Sequence, residues 1–190
     1  ALNYYKKGDI DKTLEHVSRA IELDKTNSGA FLLNAYAQRD KGLWVRSIYS
    51  FQLFLLLEPD SKRSKNAFEE MLQTMLVKPV TEEPVERSFI QQQLLRNMPS
   101  NSAQQEIPPL STEDGLNRNI IYSAIKTSMD SLKATKRDTD IYFVFTEVNK
   151  AILIALEKES RVLKSGSFWT FHYPFFKSIL NSNHYETFCR

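Results

Sequence analysis

Glycine, cysteine and long apolar runs are scarce in this chain of 190 residues. It holds five glycines, no two of them near enough to build a phosphate-cradling loop, so neither a P-loop nor a dinucleotide fingerprint is present. Its single cysteine, Cys189, excludes an internal disulfide framework and fits a reducing compartment. No segment is apolar enough to span a membrane. The best stretch, residues 141–156, is interrupted by Glu147, Asn149 and Lys150. An excess of one charge is missing too: residues 1–78 carry 12 basic and 10 acidic groups and residues 79–190 carry 13 of each. That balance lacks the basic footprint of a nucleic-acid-binding surface.

Catalytic groupings are equally scarce. His16, His172 and His184 stand too far apart for metal-ligand spacing. No Gly-x-Ser-x-Gly elbow occurs, and Cys189 has no histidine in a recognisable pairing. Glu157 and Glu159 alternate with Lys158 and Arg161 as on a solvated helix face. The expectation is a non-enzymatic chain without metal or cofactor.

What the sequence does have is a repeat. Offset by 34 residues, Gly8 falls on Gly42, Ala1 on Ala35, Ile10 on Trp44, Leu14 on Ile48, Val17 on Phe51 and Ile21 on Leu55. A period of that length belongs to a helix–turn–helix unit that buries its apolar face by stacking on the next, leaving an extended concave surface. In the second unit Phe31, Ala35, Ser47, Phe51 and Pro59 follow the order large, small, small, aromatic and closing proline. In the first, Ala1, Tyr4, Gly8, Thr13 and Ala20 are read as the small residue, the aromatic three beyond it, the turn glycine and two further small positions, with Lys25 where proline is expected.

On these residues the segment 1–76 resembles tetratricopeptide repeats. The resemblance implies antiparallel helix pairs stacked as a right-handed solenoid, and a protein or peptide as partner. Several positions depart from the pattern. Gln38 stands where an aromatic belongs, Thr13 and Ser47 replace alanine, and Phe54 replaces a small residue, so it is expected to widen the packing or reach into a neighbour. Some members of the family grip a terminal carboxylate with Lys, Arg and Asn side chains of their inner helices. Here Leu33 takes the clamp asparagine's place, with Asn34 one position on, and Lys62, Arg63 and Lys65 bring positive charge away from the clamp spacing. One reading makes Asn34 a packing residue with its hydrogen bonds met and the cationic cluster a solvated helix start. The other is a degenerate groove for an acidic or extended peptide, with Asn34, Gln38 and Lys41 on the inner helix and Arg63 on the next as its contact residues.

Beyond the repeat, Ala67, Phe68, Met71, Leu72, Met75 and Leu76 recur at helical spacing and predict a helix closing the stack. Five of the seven prolines fall between Pro79 and Pro109, which marks 78–110 as a connector. Residues 111–190 predict a helical hairpin: Thr112 or Ser111 caps the first helix, and Asp138 or Asp140 begins the second. The second, from Ile141 to about Leu163, is apolar on most sides, as a central bundle helix is, and Ser165-Gly166 ends it. The segment from Phe168 to Phe188 holds eight of the 22 aromatics. It predicts one or two short helices, with Pro174 starting or kinking one. They pack mostly on the hairpin, and any surplus forms an exposed patch. Base stacking needs basic neighbours, and only Lys177 and Arg190 are near.

The sequence therefore predicts an all-α chain: repeats with a closing helix over 1–77, a connector over 78–110 and a C-terminal helical region over 111–190. Ala1 enters the pattern in mid-helix and Arg190 follows an aromatic run, so the chain reads as a piece of a longer protein. The leading function is a protein-interaction or scaffold module. The alternative is an accessory or regulatory region of a larger enzyme or secretion machine.

Overall fold

The computed structural model describes residues 1–75, 118–159 and 166–190. Within them every regular element is helical. The connector, the caps expected at Ser111 and Thr112, and Ser165 lie outside the described residues.

Five helices come first: α1 (Leu2–Lys6), α2 (Ile10–Leu23), α3 (Ser28–Asp40), α4 (Trp44–Leu57) and α5 (Lys62–Met75). Each packs on the next along the chain. Their ends are written in the sequence. Gly8 at φ 76° and Gly42 at φ 80° turn the chain where a side chain would be strained. Asp9 accepts from the Lys12 amide at 3.2 Å and Asn27 from the Ala30 amide at 3.0 Å, capping α2 and α3. On α2 the buried residues Thr13, Val17 and Ile21 form a narrow stripe, flanked by half-buried Leu14, Ser18 and Ala20.

The departures from the repeat pattern are accommodated by hydrogen bonds and packing. Thr13 Oγ1 donates to the Asp9 carbonyl at 2.7 Å, and Ser47 Oγ donates across to the Ala35 carbonyl at 2.8 Å. A hydroxyl can therefore sit where alanine is usual without leaving a buried donor unmet. Phe54 is fully buried and reaches the neighbouring helix, where the Arg63 guanidinium lies 5.5 Å from its ring. On α5, Ala67, Met71 and Met75 are buried, and Phe68 and Leu72 pack against the same cluster.

The second half comprises α6 (Arg118–Ala134), α7 (Ile141–Glu159), one π-helical turn (Phe168–His172), α8 (Tyr173–Leu180) and α9 (Tyr185–Cys189). Helices α6 and α7 pack as a pair. Asp140 Oδ1 accepts the Tyr142 amide at 2.9 Å, so of the two candidate aspartates it is the one that starts α7. Pro174 stands in the first turn of α8, where a missing N–H costs least.

The aromatic segment packs on the hairpin helix α7, as the sequence leads one to expect, and on the repeated half as well. Helices α8 and α9 lie against α7, and the segment also reaches the repeated half: Phe168 and Phe176 have ring centroids 6.1 Å and 5.0 Å from Tyr49 on α4, and His172 lies edge-on to Phe31 of α3 at 6.0 Å. The reason is in α4. Ten of its fourteen residues are buried, and α3 and α5 cover only part of its circumference. Trp44 stacks on Tyr122 of α6 at 5.2 Å, and Phe68 of α5 meets Phe145 of α7 at 6.4 Å. The most enclosed helix is therefore α4, while α7 leaves Ile141 and Ile154 at its surface. One apolar cluster runs through all the described segments. Of the eight aromatics, Phe175 is the most exposed, at 37%.

Candidate functional site

Helices α1, α3 and α5 alternate with α2 and α4 along the chain, and side chains join them to one another directly. Tyr5 Oη on α1 donates to Asp40 Oδ2 on α3 at 2.7 Å. Tyr36 Oη on α3 donates to Glu70 Oε1 on α5 at 3.2 Å. Arg39, one turn further along α3, pairs with the other oxygen of Glu70, and its guanidinium lies 5.1 Å from the Tyr36 ring. These residues form a row of two phenols, two carboxylates and one guanidinium across three helices. All are half-buried or exposed, so their outer faces are open to a ligand.

The electrostatics of the row are simple. Partial burial, with the Asp40 carboxylate beside it, pushes the Tyr5 phenol up to about 12. Burial and Glu70 raise Tyr36 as well. Both phenols stay protonated at neutral pH and serve as donors. What this surface can do is hydrogen-bond and stack. It has no nucleophile with a base to activate it.

The four residues singled out from the sequence do not converge. Asn34 is buried and turns toward α4, where its Nδ2 donates to Ser50 Oγ at 2.8 Å. Gln38 is buried beside it, and Gln38 Nε2 donates to Asn34 Oδ1 at 3.4 Å. Lys41 is exposed and pairs with Asp11 of α2 at 2.6 Å. Arg63 forms a fork on Glu58, with Nε donating to Oε1 at 3.0 Å, and covers the Phe54 ring. Asn34 and Gln38 thus meet, while Lys41 and Arg63 each belong to a separate ion pair. The row itself escaped the reading of the sequence, although one signal for it was there: Tyr36 and Glu70 are 34 positions apart, one full repeat.

Glu58 is a hub of a different kind. It receives Arg63, and Ser28 Oγ at the start of α3 donates to it at 2.9 Å. Those bonds, Arg63 foremost, lower its carboxyl to about 2. Glu58 therefore remains an anion that staples the start of α3 to the start of α5.

A buried polar network joins the two halves. Gln52 of α4 donates to Asn149 Oδ1 at 2.9 Å, Asn149 Nδ2 donates to Tyr185 Oη at 3.2 Å, and Tyr185 Oη donates to the Thr146 carbonyl at 2.8 Å. Burial raises the Tyr185 phenol and the Cys189 thiol alike, which keeps that thiol protonated and unreactive. His172 is also buried. Its Nδ1 donates to the Ser167 carbonyl at 3.1 Å, and its Nε2 has no hydrogen-bond partner among the described residues. Among the described residues no three His, Cys, Asp or Glu side chains converge to hold a metal ion, and no helix is long and apolar enough to cross a membrane.

Comparison with models of protein families, with characterised proteins and with solved structures returns no match to this chain.

Proposed function

We propose that this chain is a non-enzymatic protein-interaction module of tetratricopeptide-like build. In this reading α1, α3 and α5 are the inner helices, and their concave side receives a peptide or protein. The observation that carries it is the lateral row Tyr5–Asp40, Tyr36–Glu70 and Arg39–Glu70. It links every second helix side by side, as the inner helices of a stacked repeat must be. The aromatic C-terminal segment meanwhile packs on α4 through Tyr49 and leaves the row part-exposed. The contact residues of this face are then Tyr5, Tyr36, Arg39 and Asp40 rather than Asn34, whose amide bonds to Ser50 on α4, and Gln38, which is buried and donates to Asn34.

The test is a comparison of bound proteins. The intact chain and an Arg39→Glu/Asp40→Lys variant are immobilised and exposed to the same extract, after circular dichroism shows equal helicity. Partners retained by the wild type and lost on charge reversal support the reading. A set of partners that is the same for both proteins refutes the inner face as the binding surface.

A further inference from the structure

A second surface lies at the junction of the two halves. A cleft of about 830 Å³ opens between the end of α4, the helix α5 and the start of α7 together with the end of α9. Leu56 and Phe68 stand on one wall and Ile141, Tyr142 and Phe188 on the other. Leu56 is 45% exposed and Ile141 57% exposed, so two of the chain's largest surface apolar groups face one depression. Paired exposure of this kind, rimmed by charge, marks a binding groove more than incidental surface. The floor is fixed. Gln52 lines it and is held by the buried Asn149–Tyr185 network, so little ordering is needed on binding.

The rim selects the occupant. Lys65 comes from α5 and Arg190 follows α9, and Asp60 is the one side-chain carboxylate among the lining residues. Among the described residues neither cation has a carboxylate partner, and the Arg190 guanidinium lies 5.8 Å from the Tyr142 ring at the mouth. Apolar walls between two cations on opposite sides complement an apolar segment with acidic residues at its flanks. We propose that this cleft docks a short amphipathic peptide segment of another protein, carrying two or three large apolar side chains and at least one flanking Asp or Glu. The cleft is distinct from the inner row of α1, α3 and α5 and does not depend on that face binding anything.

The experiment is a selection from a displayed library of random 16-residue peptides on the intact chain, followed by fluorescence anisotropy with the enriched peptides. The expected peptides pair apolar residues with Asp or Glu. Their affinity falls at least tenfold on Ile141→Glu, and also on Lys65→Glu, and is unchanged by Arg39→Glu on the inner face. Both cleft positions are exposed, and equal thermal stability of the variants checks that they fold. Enriched peptides that bind Ile141→Glu as well as wild type overturn the proposal, as does a selection that enriches none. Peptides lost only on Arg39→Glu overturn it too and leave the inner-face reading standing. Displacement of the peptides by laurate with retained Lys65 dependence assigns the cleft to amphipathic small molecules and also overturns it.

Discussion

Gln52 and Asn149 share a buried hydrogen bond of 2.9 Å although 97 positions separate them. The bond joins α4 of the repeated half to α7 of the C-terminal half, and Asn149 passes it on to Tyr185. Removing one member leaves the other's buried amide without its partner, which costs about 1–3 kcal/mol. Asn149→Leu and Gln52→Leu are each expected to destabilise by that amount in urea unfolding. The double variant, with no amide left stranded, should lose less than the sum. Additive losses would show that the pair is not coupled.

Tyr49 tests whether the two halves unfold as one. It is fully buried under Phe168 and Phe176, so Tyr49→Ala is expected to cost about 3–5 kcal/mol. The chain's two tryptophans report separately, Trp44 from α4 and Trp169 from the aromatic segment. Helicity and fluorescence should fall in a single transition in both wild type and variant. Two separated transitions would show that the aromatic segment is not part of the repeat's core. Tyr49 Oη has no hydrogen-bond partner among the described residues, so Tyr49→Phe should leave stability equal or raised.

Glu58 gives the chain an acid-sensitive joint. Its carboxyl is lowered from an ordinary 4.5 to about 2 by Arg63, Ser61 and Ser28. The unfolded chain therefore takes up a proton at a pH where the folded chain does not. The stabilisation is complete above pH 4.5 and is lost as pH falls toward 2. Glu58→Gln should be less stable than wild type at pH 7, and the gap should close between pH 4.5 and 2 in thermal melts. A gap independent of pH would mean that the charge of Glu58 contributes nothing.

Local elements were legible in the sequence because their causes are local. Gly8 and Gly42 read as turns, Asp140 as one of two candidate starts of α7, and Pro174 as starting or kinking a helix, since each acts within one turn of chain. The 34-residue offset likewise marked Val17 and Phe51 as core, and both are buried. Side-chain direction was less legible. Asn34 lies on α3, but its amide turns to Ser50 rather than to the outer face, and periodicity does not separate those choices for a polar residue. Least legible was that the aromatic segment, besides packing on α7, also covers α4. Tyr49 and Phe31 carry no pattern that names a partner more than a hundred positions away. The apolar character of α4 on nearly all sides was the available clue that something besides α3 and α5 must cover it.

His172 sits where that covering takes place. It is 2% exposed, with Phe31 on one side and Phe168 and Phe171 of its own segment around it. The charges that face this cluster are cationic: Arg46 of α4 over Phe168, and Lys25 over Phe171. Burial lowers the imidazole below its ordinary 6.5, and Arg46 adds to the effect, while the bond to Ser167 opposes it. The folded state therefore holds His172 neutral where the unfolded chain is protonated. Its contribution is complete above pH 6.5 and is lost as pH falls toward the lowered value, at a slope of at most about 1.4 kcal/mol per pH unit. His172→Phe removes both the titration and the unmet Nε2. Compared between pH 7.5 and pH 5, the melting temperature of the wild type should fall further than that of the variant. The Trp169 fluorescence, reporting from the same segment, should shift over the same range in wild type only. Parallel pH profiles for the two proteins would show that this interface does not sense the proton.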